Sequence, residues 1–266
     1  MTTPAGRPPR ESGASRAPGA LLMLLESRAP LEFAASAFAG PWLRRLPRGD
    51  GHPVIVYPGL AASDLSTVPL RRLLLDRGYI PYGWKQGRNR GPREGVFEAC
   101  LAQAAEVARE HGRPDSLIGW SLGGLYAREI AKLQAATTRC VITLGSPFSG
   151  HPNDTNATRL YRAIHGQPAH EDARYAQLGD APPVPTTSIF SRSDGIVAWH
   201  CSLNVAGPRS ENIEIPASHL GLAVNPMALY AILDRLAQDP AQWRAFDLRG
   251  VRRWFFRIGA TPTPTP

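Results

Sequence analysis

LIGWSLGGLYAREIAK, residues 117–132, passes from an apolar strand pattern straight into a helical one, with one serine, Ser121, at the junction. Gly119, Trp120, Ser121, Leu122 and Gly123 form G-x-S-x-G. That short pattern carries weight mainly at a sharp strand-to-helix turn, the context it has here. Such a turn holds the serine in a strained conformation and brings backbone segments so close that Gly119 and Gly123 must lack a Cβ. It also aims the N–H of Leu122, at the start of the new helix, toward any oxyanion forming beside the Ser121 oxygen.

The segments on either side supply a scaffold for that turn. PVIVYPG (53–59) is a short β-branched run closed by Pro58 and Gly59, as expected of a buried parallel strand. A helix is predicted from Val68 to Arg77, a strand at YIPYGW (79–84), and a helix over Glu94–Glu110. SLIGW (116–120) reads as a strand, Leu122–Ala135 as a helix and CVITLGS (140–146) as a strand. Residues 148–185 break the rhythm with a polar insertion holding one short helical pattern, NATRLYRAIHG. The alternation resumes with strands in TTSIF and NIEIP. NPMALYAILDRLAQ is the closing helix, capped by Asn225 with Pro226 at its first position. Strands alternating with helices of this length predict an α/β fold, a mostly parallel central sheet with helices on both faces.

A serine hydroxyl needs a general base, and the base needs a carboxylate to fix its tautomer and stabilise the imidazolium. Asp194 lies in the turn after TTSIF, and His219 in the loop between NIEIP and the last helix, giving the order Ser, Asp, His. Among the other histidines His200, six residues after Asp194, is the serious competitor. His219 is preferred because it alone follows a separate strand end. Asp194 is preferred over Asp180 and Asp172, which sit in the insertion; the alternative reading of Asp194 is a structural Asx-turn residue. A second oxyanion donor is expected from the loop after the first strand, YPGLAAS, with the N–H of Leu60 first and Ala61 second. Pro58-Gly59 could also be no more than a tight turn.

In combination and in order, YPGL, GWSLGG, TLGSPFSG, SDGIV and SHLGL resemble the serine esterases and lipases of the α/β-hydrolase fold, bacterial lipases most of all, from about Val54 to Ala237. The resemblance implies carboxylic-ester hydrolysis through an acyl-enzyme on Ser121, with residues 148–185 as a cap or lid. Many lipases carry histidine after the TLG-[ST]-P proline; here Phe148 stands, leaving that turn a wall role. An acyltransferase or thioesterase could use the same triad, and a hydrolase-fold binding protein without turnover is the rival from another class.

Composition narrows the remaining possibilities. The 266 residues, 43% hydrophobic, suit a flexible N-terminal tail (1–19), a helical extension (20–50), one hydrolase domain (51–258) and a flexible C-terminal tail (259–266). The net charge of +8 comes from 28 Arg and only two Lys, spread along the chain and outside any nucleic-acid-binding motif, so no nucleic acid is expected as partner. The expected partner is a small, lipophilic ester, and oligomeric state is left open. Cys100, Cys140 and Cys201 have neither metal-type spacing nor an even count, so no metal, disulfide or other cofactor is expected. ALLMLL (20–25) is too short to span a bilayer and lacks a cleavage site, which makes cytoplasmic location the expectation. The apolar spacing from Ala20 to Arg45 predicts one or two helices lying across the domain surface or against a membrane. GWKQGRNRGP (83–92) reads first as a glycine-punctuated surface turn, with contact to an anionic head group as its alternative.

Overall fold

Residues 17–150, 154–156 and 178–259 are described by the structure, a computed structural model. In strand β1 (Pro53–Tyr57) the side chains alternate between two separate cores. Val54 and Val56 face one side with Ile118, Ile142 and Leu144; Ile55 and Tyr57 face the other with Leu117 and Val141. A strand with both faces buried reads as a continuous apolar run, and that is what PVIVY is. β1 pairs in parallel with β2 (Ile80–Gly83) and β3 (Asp115–Trp120). The ladder continues in parallel through β4 (Thr138–Leu144), β5 (Thr186–Phe190) and β6 (Ser210–Glu214), and a short antiparallel β7 (Arg257–Ile258) closes the edge. The order is β2-β1-β3-β4-β5-β6-β7, the predicted mostly parallel sheet.

Helices α4 (Asp64–Asp76) and α7 (Pro226–Leu236) fill the first core, through Leu70 and Leu74 and through Ala228 to Leu236. Helices α5 (Val96–His111) and α6 (Leu122–Leu133) fill the second, through Cys100, Ala104, Val107, Tyr126 and Ile130. The Asn225 side chain accepts from the Met227 N–H at 2.9 Å, the predicted cap of α7. α4 begins four residues before the predicted start and carries Pro69 inside it. Proline there removes one helical hydrogen bond, to the carbonyl of Leu65, a residue 81% exposed.

The N-terminal segment folds as three short helices rather than one or two: α1 (Ala20–Leu25), α2 (Ala29–Phe38) and α3 (Gly40–Leu43), with a 3-10 turn, Glu26–Arg28, after α1. Trp42 stacks on Tyr230 of α7 at 4.2 Å between centroids, and Leu43 is buried. Along α1 and α2, Leu21, Leu24, Leu31, Phe33 and Phe38 stay exposed, Phe38 to 85%. No helix among the described residues is long and apolar enough to cross a membrane. Most of the 148–185 insertion, including the helix read in NATRLYRAIHG, lies outside the described residues.

Candidate active site

The C-terminal ends of β3, β5 and β6 converge where parallel α/β sheets bind ligands, outside the carboxyl edge of the strands. Ser121 is the first residue past β3 and caps α6 with φ 53° and ψ −123°, a conformation costing about 1–3 kcal/mol for a residue with a side chain. Its own N–H is held by the Leu144 carbonyl at 2.8 Å. A Cβ on Gly119 would overlap the backbone of Gly123 and Gly124, and one on Gly123 would overlap the Tyr57 carbonyl. The two glycines therefore serve the close approach expected of them.

Asp194 and His219 meet in the loops after β5 and β6, His219 Nδ1 lying 2.7 Å from Asp194 Oδ2 with both side chains buried. The other oxygen of Asp194 accepts from the N–H groups of Ile196 (2.8 Å) and Val197 (2.7 Å). It is thus both the imidazole's partner and the turn residue, two roles the sequence set as alternatives. The Ser191 hydroxyl joins the two loops, accepting from the Ser193 and Ala217 N–H groups at 3.1 Å each. Burial disfavours a charged His219, but the Asp194 charge, its hydrogen bond and the Glu26 charge outweigh burial and raise the pKa above the ordinary 6.5.

Two observations bring this pair close to the residues flanking Ser121 and Leu144. The indole N–H of Trp120 donates to the His219 carbonyl at 3.0 Å, a role for Trp120 that its sequence context does not reveal. Gly145, directly after Leu144, leaves no room for a Cβ, which would lie 3.0 Å from Asp194 Oδ2 and 3.1 Å from His219 Nδ1. The Ser121 hydroxyl hydrogen-bonds no other described residue. Nucleophile–base bonds of this kind often tighten only around substrate.

The rivals lie elsewhere. His200 Nε2 faces Asp154 Oδ2 at 3.4 Å, His111 pairs with the Tyr82 hydroxyl, and His52 bridges Asp50 and Ser116. Asp180 lends its backbone carbonyl to Arg128. His151, His165, His170 and Asp172 lie outside the described residues. Asp154, His200 and Cys201 bring possible metal ligands within 4.8 Å of one another, the one such group among the described residues. Burial, aided by the Asp154 and Asp194 charges, pushes the Cys201 thiol up to about 12, which keeps it protonated at neutral pH.

Of the candidate oxyanion donors, Leu122 N–H belongs to the first turn of α6, where helical N–H groups have no intrahelical acceptor. The N–H of Leu60 has no acceptor among the described residues, whereas that of Ala61 donates to the Asn89 carbonyl at 2.7 Å. Of the two donors weighed from sequence, Leu60 is the one left free. Asn89 also corrects the reading of 83–92 as a mere surface turn, because it is 0% exposed and clamps the loop after β1. Its N–H donates to the Ala62 carbonyl at 2.7 Å, its Nδ2 to the Pro58 carbonyl at 2.8 Å, and its Oδ1 accepts from Gly91 N–H at 3.0 Å. Trp84 in the same stretch is buried too, its indole donating to the Gly87 carbonyl. Beside the elbow, Phe148 packs with Leu125, Leu178 and Leu122 and lies against the Arg128 guanidinium at 3.8 Å.

No protein-family model matches the chain, and no curated protein matches it in sequence. Solved structures do match. Aspergillus fumigatus lipase B is 19% identical with a TM-score of 0.56, over 71% of this chain and 53% of that one. The monoacylglycerol lipase of Paleococcus ferrophilus is 15% identical with a TM-score of 0.51, over 72% of this chain and 96% of that one. An α/β superfamily hydrolase of Oenococcus oeni is 17% identical with a TM-score of 0.52, over 71% and 94%. Identities this low speak to fold, and the fold of this chain is that of the α/β-hydrolases.

Proposed function

We propose that the protein is a serine hydrolase of carboxylic esters with a substantial apolar part. The observation that carries this reading is the buried 2.7 Å pairing of Asp194 with His219, at the sheet edge where Ser121 is held at positive φ. Ser121 Oγ attacks the ester carbonyl while His219 Nε2 takes its proton. Asp194 keeps the imidazole in the required tautomer and stabilises its charged form. The N–H groups of Leu122 and Leu60 hold the tetrahedral oxyanion. Collapse breaks the ester C–O bond, His219 returns the proton to the leaving alcohol, and an acyl group remains on Ser121. Water, deprotonated by His219, then releases the acid and restores the serine.

The apolar cluster of Leu122, Leu125, Phe148 and Leu178 beside the elbow supports an apolar acyl or alcohol group. The exposed leucines and phenylalanines of α1 and α2 support peripheral contact with a lipid surface. Hydrolysis of p-nitrophenyl esters from acetate to palmitate, with and without vesicles, tests the reading: activity on medium or long chains is expected, and inactivity on the whole series would overturn it. Acyl transfer by the same residues predicts instead that the acyl-enzyme partitions to an added alcohol in preference to water.

A further inference from the structure

The loops carrying Asp194 and His219 are fastened to the N-terminal helices through two acids that the ester-cleaving steps leave unused. Glu26, in the 3-10 turn between α1 and α2, is 7% exposed and its carboxylate collects three backbone N–H groups. Oε1 accepts from Gly195 at 2.8 Å and from His219 at 2.9 Å; Oε2 accepts from Leu220 at 2.9 Å. One side chain therefore binds the residue after the acid, the base itself and the residue after the base. Glu32, on α2, accepts from Ser218 N–H at 2.8 Å and from Asn225 Nδ2 at 3.1 Å. Arg28, paired with Glu32, donates to the Ser193 carbonyl at 3.0 Å and hydroxyl at 2.7 Å. Both neighbours of Asp194 and both neighbours of His219 are thus gripped by one stretch of seven residues, Glu26 to Glu32.

The fit is close on the backbone side as well. A Cβ on Gly195 would collide with the Leu22 carbonyl, and one on Gly221 with the Glu32 carboxylate. Asn156 Nδ2 bridges the Pro18 and Gly195 carbonyls at 3.0 Å each. Hydrogen bonds to a carboxylate are roughly twice as strong as neutral ones, so three of them on one buried group resist separation of the two loops.

We infer that residues 26–32 are a strap that sets the spacing of the acid and the base, and that Glu26 is a positioning residue for the imidazole. The inference rests on the hydrolase reading for its kinetic consequences. Its structural content, the coupling of the two loops through Glu26, stands apart from it. The ionisable groups around His219 are Asp194 on its own sheet edge and Glu26 on the strap, with Glu32 and Arg28 forming a neighbouring pair. The Glu26 charge favours the imidazolium, and removing it should lower the pKa of His219.

The test uses the full chain in wild-type, Glu26→Gln and Glu26→Asp forms, with Glu106→Gln on the exposed face of α5 as control. In the wild type, backbone amides of Gly195, His219 and Leu220 should exchange with deuterium slowly and as one group. Glu26→Gln should lower kcat about ten- to a hundredfold with KM nearly unchanged, the size of effect that a small misplacement of a catalytic group produces. The His219 imidazole, followed by NMR, should titrate at lower pH in Glu26→Gln, whereas Glu26→Asp keeps the charge and shifts it less. Unprotected, independently exchanging amides in the wild type would overturn the strap whether or not the variants fold. So would a folded Glu26→Gln protein with unaltered kcat and unaltered His219 titration. Absence of ester hydrolysis in the wild type would count against the hydrolase reading alone, since amide exchange and imidazole titration still decide the strap.

Discussion

Replacing Asn89 with alanine removes the clamp on the loop that presents Leu60 while touching neither the nucleophile nor its base. The side chain holds the Pro58 carbonyl at 2.8 Å and the Gly91 N–H at 3.0 Å from a position with no solvent access. Alanine leaves one buried acceptor and one buried donor without a partner, at about 1–3 kcal/mol each, so a stability loss of about 2–6 kcal/mol is expected. Two bonds survive because they use the Asn89 backbone: Ala61 N–H to its carbonyl and its own N–H to the Ala62 carbonyl, both 2.7 Å. Leu60 is therefore loosened rather than released. Complete loss of an oxyanion donor lowers kcat by about 10²–10³, so a loosened one should lower it by about ten- to a hundredfold. KM should hardly move, since the donor acts on charge that exists only in the transition state. Steady-state kinetics on p-nitrophenyl butyrate, below the melting temperature of both proteins, reads this directly. An unchanged kcat in a destabilised Asn89→Ala protein would refute the assignment of Leu60. A rise in KM alone would make the loop a substrate-binding element instead.

With its pKa raised above 6.5, His219 should impose an acidic limb on kcat/KM: activity is lost as pH falls through the raised pKa and the base becomes protonated. Asp194→Asn, measured across the same pH range, should lower kcat about ten-thousandfold and move the limb to lower pH, by loss of tautomer control and of the stabilising charge. Asp115 makes a prediction about stability. Burial, only partly offset by a backbone hydrogen bond, raises its carboxyl to about 7, and its Oδ2 has no partner among the described residues. Between pH 3.8 and 7 the folded chain holds a proton there that the unfolded chain does not, so this group's contribution to stability falls as pH rises across the window. Asp115→Asn should therefore raise the melting temperature at pH 8, by a free energy of up to about 4 kcal/mol, and leave it nearly unchanged at pH 3.5.

Sequence made the middle of the sheet legible because β1, β3, β4 and β5 are buried on both faces and the helices packed on them are amphipathic, local patterns needing no knowledge of neighbours. Ser121, Asp194 and His219 were legible for a related reason: each stands at the end of a readable strand. Boundaries slipped where a tertiary neighbour overrode a local signal, as at α4, predicted from Val68 but starting at Asp64, whose carboxylate accepts from the Trp84 and Lys85 N–H groups. β7 is two residues long and held only by β6, too short for any pattern. The supporting residues Trp120, Asn89 and Glu26 were the hardest to see. Glu26 ends an apolar run in a way indistinguishable from an ordinary helix terminus, and its three partners lie at 195, 219 and 220. Asn89 looks like a turn residue among arginines and glycines, and only its burial against the Pro58–Ala62 loop separates it from them.

Activation of Ser121 by His219 is read out by treating the protein with a fluorophosphonate and locating the adduct by mass spectrometry. One adduct is expected on Ser121 in the wild type, with none in Ser121→Ala and much slower labelling in His219→Ala. Equal labelling of wild type and Ser121→Ala, or no labelling of the folded wild type, would contradict it.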